Sequence, residues 1–207
     1  KEVEGKTYSC GVFTVPQNWD QPEAGNLDLT FMVIKASGPN PEPDPLVFSA
    51  GGPGQSSTLT GIDAYKNIRP TRDIVRLDQR GTGLSQRLDV PECLVLALRS
   101  GVGEDKLSAI VDMMSSPPED DSAAPDAQGS SVDQGAALQA KVNALCWEQF
   151  TKAGIDPNQF TTANAARDLV ELVKALGYKS YNMHGTSYGT RLAMTILRGV
   201  PGVEDAP

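Results

Sequence analysis

The 207-residue chain has a single histidine, His184, and three cysteines, Cys10, Cys93 and Cys146, none of them in a CxxC pair. A structural zinc site needs four Cys or His ligands at short, regular spacings. With one histidine and no CxxC spacing, a zinc-stabilised domain is not expected. The same counts also leave any histidine-dependent chemistry to His184 or to residues outside the chain.

Long apolar stretches are missing as well. No window reaches the roughly 18 consecutive apolar residues of a membrane-spanning helix. Residues 1–10 lack the apolar core of a signal peptide, and we expect that any such segment has been removed from the mature protein. Basic residues are few, with 18 Lys and Arg against 26 Asp and Glu and a net charge of −8. Nucleic acids and anionic membranes bind basic surfaces, so neither is expected as a partner.

The acidic residues are concentrated in one segment. Residues 115–135 contain five acids, no base and one large apolar residue. A segment of this composition does not bury enough apolar surface to fold alone. We expect a flexible, solvated loop over about 115–135, and the net charge therefore says little about a ligand.

Two cysteines, Cys93 and Cys146, lie in apolar runs on either side of this loop. A disulfide between them would join the two flanking helices, which suits a protein of an oxidising compartment. Alternatively, both thiols are buried in helix faces, where free cysteine is common. Cys10 is left over, either free or paired with a cysteine outside the chain.

Short apolar strands alternate with helices along most of the chain. The alternating segments 7–15 and 27–36 predict a pair of strands, and the apolar runs 45–50 and 72–78 are typical of buried strands. Residues 161–178 have the clearest helical periodicity. A strand at 180–185 and another helix follow. This order predicts an α/β fold whose mainly parallel sheet begins with antiparallel N-terminal strands.

We divide the chain into three parts. Residues 1–90 form the N-terminal part of the core, and residues 91–160 form a helical insertion that contains the acidic loop. Residues 161–207 return to the core with a helix, a strand and a second helix.

The turn between that last strand and helix reads Gly185-Thr186-Ser187-Tyr188-Gly189, a G-x-S-x-G pattern. A nucleophilic serine stands on a tight strand-to-helix turn of this kind, and the glycines leave room for neighbouring chains. The following helix directs its N-terminal amides to the place where an oxyanion forms. The pattern is weak alone, but its position between a strand and a helix favours Ser187 as a nucleophile.

A second glycine loop, GGPG at 51–54, follows the strand at 45–50. Acyl transfer needs two N–H donors to the oxyanion, one from the residue after the nucleophile and one from a loop on a neighbouring strand. These requirements point to the amides of Tyr188 and Gly52. Taken alone, the loop is better explained as a tight turn. Nucleotide binding is disfavoured because neither common phosphate-binding motif occurs in the chain.

Three segments, SAGGPGQSS, LDQRGTGLS and NMHGTSYGTRLAMTILR, occur in this order. Together they resemble the α/β-hydrolase superfamily, and more narrowly its serine peptidases of the prolyl iminopeptidase and tripeptidyl aminopeptidase group. The resemblance runs from about Cys10 to about Arg198. It implies an α/β-hydrolase fold that is incomplete in this chain.

The resemblance also implies roles for individual residues. Ser187 is the nucleophile, the amides of Tyr188 and Gly52 are the oxyanion donors, and the loop 78–85 is a wall beside the site. Secreted relatives carry a cysteine pair across the insertion. The disulfide interpretation of the two cysteines is therefore strengthened.

The chain supplies no evident base for Ser187. Such a serine needs a histidine oriented by a carboxylate, and α/β-hydrolases place both after the serine. His184 precedes it within the strand, and we expect its side chain to be buried in the packing of the sheet. Asp78, at the end of a neighbouring strand, is a candidate acid partner without a base. We therefore expect the N-terminal portion of a larger enzyme, in which a C-terminal segment or a second chain brings Asp and His.

Four other charged residues are assigned to structure rather than to catalysis. Arg80 and Arg191 are expected to hold loops through ion pairs or hydrogen bonds. Asp168 and Glu171 are expected on the solvent face of helix 161–178.

The sequence thus predicts a serine hydrolase that acts on peptides or on small esters and amides. The leading hypothesis is an exopeptidase that releases N-terminal residues or short peptides through an acyl-enzyme on Ser187, with no metal or organic cofactor. A carboxylesterase or amidase of the same fold is one alternative, and a non-catalytic binding module is another. The expected location is secreted or periplasmic.

Overall fold

The computed structural model describes residues 3–61, 65–101, 103, 105, 107–108, 111 and 128–199. The chain forms two compact units, the first made of Lys1–Arg87 and Asn158–Pro207 and the second of Leu88–Pro157. Residues 115–127 of the predicted acidic loop lie outside the described residues, as do residues 200–207.

The strands of the first unit form one sheet. They are β1 Tyr8–Pro16, β2 Asn26–Ile34, β3 Leu46–Ser49, β4 Ile74–Leu77 and β5 Asn182–Gly185, and their order in the sheet is β1-β2-β4-β3-β5. Strand β2 pairs antiparallel with β1 and β4, whereas β3 is parallel to β4 and β5. The predicted antiparallel start and parallel continuation are confirmed. Because β3, β4 and β5 are parallel, the loops that follow them begin at one edge of the sheet.

The described helices are α1 Val90–Arg99, α2 Gln128–Lys152, α3 Thr162–Ala175 and α4 Tyr188–Leu197. Within the described residues, no helix is long and apolar enough to cross a membrane. Helix α2 begins at Gln128, so residues 128–135 are helical where the sequence analysis expects a loop. Propagation from the strongly helical segment that follows outweighs the weak helix propensity of their glycine and serine residues.

One face of the sheet packs against α3 and α4. Thr161 caps the start of α3, because its hydroxyl accepts the amide of Asn164 at 3.2 Å. Apolar side chains from β1 to β4 and from both helices form a continuous core on this face. Its buried members are Val15, Leu27, Leu29, Val33, Val47, Val75, Leu77, Ala165, Ala166, Leu169, Val170, Leu172, Val173, Leu192 and Ile196.

The opposite face of the sheet has a smaller apolar cluster. The segment after the first glycine loop contributes to it through Tyr65. The buried members are Ile34, Leu46, Phe48, Ala50, Tyr65 and Ile74. Strands β3 and β4 are thus buried on both faces, which accounts for their mostly apolar sequences.

The second unit contains α1 and α2, which are joined by a disulfide between Cys93 and Cys146. Of the two interpretations that the sequence leaves open, the structure confirms the disulfide. The Ser100 hydroxyl, just after α1, donates to the side-chain oxygen of Gln149 on α2 at 2.9 Å. Cys10 in the first unit is a free, exposed thiol, and partial burial together with the Glu4 charge raises its pKa.

Removing the disulfide is expected to destabilise the protein. The two cysteines are separated by 53 positions in the sequence. A bridge that closes a loop of this length lowers the entropy of the unfolded chain and so raises its free energy by about 4 kcal/mol. We expect the full-length C93A/C146A variant to lose about 2 to 4 kcal/mol of unfolding free energy in urea. The control Cys10→Ser should lose less than about 0.5 kcal/mol. Alkylation of both Cys93 and Cys146 in the unreduced protein would show that the disulfide is absent.

Candidate active site

Ser187 lies on the tight turn between β5 and α4, and it is exposed. Its backbone has φ 52° and ψ −117°, and no other non-glycine residue in the described part of the chain has a positive φ. Such a conformation costs about 1 to 3 kcal/mol and persists only where the surroundings impose it. The hydroxyl makes no capping hydrogen bond to α4, although serine before a helix commonly does. The turn therefore presents an exposed hydroxyl that the helix does not use.

The glycines on either side of Ser187 are required by close backbone contacts. A Cβ on Gly185 would overlap the backbone of Gly189 and the nitrogen of Thr190, and a Cβ on Gly189 would overlap the carbonyl of Ser49. Backbone atoms do not move aside as a flexible side chain does. The Thr186 amide also donates to the Ser49 carbonyl at 3.1 Å. The G-x-S-x-G spacing thus packs the turn against the carboxyl end of β3.

The loop after β3 meets this turn through its first glycine. A Cβ on buried Gly51 would lie 3.0 Å from Ser187 Cβ and 3.2 Å from the Thr186 carbonyl oxygen. Gly52 is exposed and has a φ of 108°, a conformation that favours glycine. The amide of Gly52 stays the predicted oxyanion donor from this loop.

The second predicted donor is the amide of Tyr188, the first residue of α4. The first amides of a helix have no acceptor within their own helix, so they are suited to bind an anion. The Tyr188 hydroxyl lies 2.7 Å from the hydroxyl of Thr162, the first residue of α3. This contact ties the start of α4 to the start of α3.

Asp78 follows β4 directly, is buried, and holds two loops together. In the loop after β3, it accepts the amides of Ser57 at 2.7 Å and Thr58 at 2.9 Å and the Thr58 hydroxyl at 2.6 Å. The Ser56 hydroxyl donates to it as well. In the loop after β4, the Leu84 amide donates to it at 2.9 Å. With its oxygens engaged in this way, Asp78 is a structural connector rather than the acid partner of a histidine.

The loop after β4 wraps closely around the same carboxylate. Gly83 has a φ of 55°, and a Cβ there would overlap the Asp78 carboxylate. The Ser85 hydroxyl donates to the Asp78 carbonyl at 2.6 Å and accepts the Thr30 amide at 2.9 Å. The loop predicted as a wall is therefore fastened both to β2 and to the loop after β3.

Arg80 and Asp168 form a buried ion pair that ties the loop after β4 to α3. Arg80 Nε and Nη2 each donate to one Asp168 oxygen at 2.7 Å, and the residues are 4% and 0% exposed. Arg80 also donates to the carbonyls of Gln17 and Gln159 at 2.8 Å, and Trp19 Nε1 donates to Asp168 at 2.9 Å. Burial raises the pKa of the Asp168 carboxyl, and the Arg80 hydrogen bonds oppose that rise.

The prediction that Asp168 lies on the solvent face of its helix is wrong. Asp168 follows Ala165 by three residues and precedes Leu172 by four, so it shares the buried face of α3 with them. That spacing is visible in the sequence, but the identity of the buried partner, Arg80, is not. The prediction that Arg80 holds a loop is confirmed.

The prediction that His184 is buried is also wrong, because its side chain is exposed. It lies beside Phe48, its partner in the β3–β5 register, with ring centroids 6.0 Å apart, and it contacts Tyr65 edge to face at 5.5 Å. Strand β5 is the last in the described sheet, so no further described strand covers this side of His184. No hydrogen bond joins His184 to Ser187, and the histidine is not placed as its base.

Arg76 is a second buried arginine, and it is not among the residues predicted from the sequence. It is 0% exposed, and its guanidinium lies 5.7 Å from the ring centroids of both Phe48 and Tyr65. It donates to the carbonyls of Thr60 and Gly61, and burial lowers its pKa. Arg76 thereby fastens the segment after the first glycine loop onto the sheet. An arginine within an apolar strand offers no sequence signal of such contacts.

Two of the remaining predictions concern exposed charges. Glu171 is partly exposed and pairs with Lys174 at 3.4 Å, which agrees with its expected surface position. Arg191 was expected to hold a loop, but it is exposed and makes no ion pair or side-chain hydrogen bond with any described residue. No cluster of three or more metal-ligating side chains occurs in the described part of the chain.

The strand order and the serine turn define the class of protein. An antiparallel N-terminal pair, parallel strands and a serine on a strand-to-helix turn are part of an α/β-hydrolase fold. Within this class, the chain is 30% identical over 199 residues to the tripeptidyl aminopeptidases of Streptomyces lividans and Streptomyces coelicolor. The resemblance to α/β-hydrolase peptidases is thus confirmed.

The match covers 90% of this chain and 32% of each tripeptidyl aminopeptidase, so the chain spans about a third of the length of these relatives. Among solved structures, a proline iminopeptidase-related protein of Thermus thermophilus aligns with 94% of this chain and 42% of its own, at 17% identity and a TM-score of 0.47. The proline iminopeptidase of Mycobacterium smegmatis aligns with 93% and 41%, at 17% identity and the same TM-score. No family model matches the sequence.

Proposed function

We propose that the full-length protein is a serine exopeptidase that releases N-terminal residues or short peptides through an acyl-enzyme on Ser187. The observation that carries this proposal is the exposed serine at φ 52°, on a glycine-flanked turn between a strand and a helix. The similarity to tripeptidyl aminopeptidases supports a peptide as the substrate.

In the proposed reaction, Ser187 Oγ adds to the carbonyl carbon of the scissile peptide bond and its proton passes to a base. The amides of Gly52 and Tyr188 stabilise the negative charge that develops on the carbonyl oxygen. The C–N bond then breaks, and the amine leaves with the proton from the base. Water hydrolyses the acyl-enzyme by the corresponding steps and regenerates the hydroxyl.

We propose that a histidine and an aspartate outside these 207 residues complete the site. The chain contains one histidine, and that residue contacts Tyr65 and Phe48 instead of Ser187. Asp78 is engaged by the two loops it connects. The relatives are about three times as long as the matched segment, which leaves length for both residues. They would come from the same polypeptide or from an associated second chain.

We also propose a secreted or periplasmic location. The disulfide between Cys93 and Cys146 supports this, because disulfides persist in oxidising compartments and are rare in the cytosol.

The proposed function is tested by treating the full-length protein with a fluorophosphonate and mapping the adduct by mass spectrometry. We expect one adduct, on Ser187, since only an activated serine reacts with such reagents. We also expect release of the chromogenic amine from peptides with a free N-terminus and not from the same peptides after acetylation. Turnover of p-nitrophenyl esters without turnover of any peptide would favour the esterase. A protein that forms no adduct and turns over neither substrate would favour the binding module.

A further inference from the structure

The glycine at position 51 lets the loop after β3 pack closely against the nucleophile, and a third group borders the same position. A Cβ placed on Gly51 would lie 3.0 Å from Ser187 Cβ and 3.3 Å from the Gln55 side-chain oxygen. Gln55 belongs to the loop after β3, and the fold brings it near Ser187 in the turn after β5. The Gln55 carboxamide and Ser187 are thus neighbours of the same glycine.

Gln55 differs from the polar residues that follow it in the loop. The Ser56 hydroxyl and the Thr58 hydroxyl donate to Asp78, and the Ser57 hydroxyl accepts the Ala50 amide at 3.1 Å. The Gln55 side chain is exposed and makes no hydrogen bond with the described residues. Its neighbours hold the loop, while its own donor and acceptor remain available.

The backbone of Gln55 is held in place by these neighbours. The amides of Ser57 and Thr58 both donate hydrogen bonds to the buried Asp78 carboxylate. A side chain that starts from a fixed backbone loses less entropy when it orients toward a substrate. The carboxamide can turn about its last bond, so either its oxygen or its NH₂ group can be directed toward a substrate bound to Ser187.

We propose that Gln55 is a further catalytic residue, whose side-chain NH₂ donates a hydrogen bond to the carbonyl oxygen of the substrate acyl group on Ser187. This inference rests on the proposed function. Negative charge builds on that oxygen as Ser187 Oγ bonds to the carbonyl carbon. A hydrogen bond from a side-chain amide becomes stronger as this charge grows. Gln55 thus adds a third donor to the two backbone amides predicted from Gly52 and Tyr188.

The test compares Gln55→Leu, Gln55→Ala and Gln55→Glu in the full-length protein, with Gln21→Leu as the control. Gln21 is an exposed glutamine in the turn between β1 and β2, and its side chain caps no helix. Loss of one oxyanion donor lowers kcat by about 10² to 10³-fold. We expect Gln55→Leu and Gln55→Ala to show this loss with KM changed by less than about threefold, because the bond strengthens mainly in the transition state.

Gln55→Glu supplies the sharper comparison. It keeps the shape of the side chain but replaces the donor by a negative charge, so its kcat should fall below that of Gln55→Leu. All three variants should keep the wild-type Tm, since Gln55 holds no other part of the fold. Gln21→Leu should keep the wild-type kcat, KM and rate of fluorophosphonate labelling.

The outcomes separate this inference from the proposed function. Wild-type labelling at Ser187 together with unchanged kcat and labelling rate in Gln55→Leu would overturn the role of Gln55 and leave the proposed function standing. A raised KM with unchanged kcat would also overturn it, because the contact would then bind the ground state equally well. Absence of labelling and turnover in the wild type would overturn both.

Discussion

Replacing Ser187 by alanine or by glycine in the full-length protein is expected to lower peptide turnover by on the order of 10⁶-fold and to abolish the fluorophosphonate adduct. Neither replacement leaves an oxygen to attack the carbonyl. The two variants should differ in stability, however, because Ser187 has a φ of 52°. Alanine retains the strain of that conformation, whereas glycine adopts a positive φ without it.

Glycine also has more conformational freedom in the unfolded chain, and this offsets part of the stability gained by removing the backbone strain. We therefore expect Ser187→Gly to be about 1 kcal/mol more stable than Ser187→Ala in urea unfolding. Ser180→Ala, at an exposed position just before β5, serves as the control and should retain activity and labelling. If Ser187→Gly proves the less stable of the pair, the turn is not strained; if Ser187→Ala retains turnover, Ser187 is not the nucleophile.

Replacing Asp168 by alanine is expected to destabilise the full-length protein by about 3 to 5 kcal/mol. The guanidinium of Arg80 would remain buried without the carboxylate that now accepts two hydrogen bonds at 2.7 Å. The Trp19 indole N–H would lose its acceptor as well. The loop after β4 would then be detached from α3, and we expect an activity loss to accompany the fall in Tm.

A double replacement separates the cost of an unpaired charge from the value of the pair. Removing one partner of a buried ion pair costs more than replacing both by apolar residues. The variant R80L/D168L should therefore be more stable than Asp168→Ala. Glu171→Ala on the same helix breaks only a partly exposed contact with Lys174 and should cost less than about 1 kcal/mol. Equal losses for Asp168→Ala and Glu171→Ala would show that the buried pair does not hold α3.

The loops around the site show that a motif can be recognised from the sequence, whereas the contacts that hold it in place cannot. Gly185 and Gly189 are recognisable because the serine turn needs them at fixed offsets, and both requirements are local to the chain. Asp78 stands at a strand end, and the residues next to it in the sequence do not reveal its hydrogen-bond donors. Its donors come from Thr58 and Leu84, in loops that lie on either side of it in the sequence. The pairing of β3 with β4 brings the Thr58 donor to this carboxylate.

His184 illustrates a second limit. Alternation along a strand indicates which residues share a face, and the β3–β5 register places His184 beside Phe48. Whether that face is covered depends on what lies beside the strand. Strand β5 is at the end of the described sheet, so His184 is exposed although it sits within a strand.

The sequence by itself determined the order of strands and helices, the serine between β5 and α4, and the glycines around it, because periodicity and turn chemistry depend on near neighbours along the chain. Only the tertiary structure decided which distant residues meet. It paired Arg80 with Asp168 across 88 positions, and it brought the Gln55 side chain and Ser187 against the same glycine, Gly51. Such contacts follow from the β1-β2-β4-β3-β5 order, which sets strands and their loops side by side regardless of their separation in sequence.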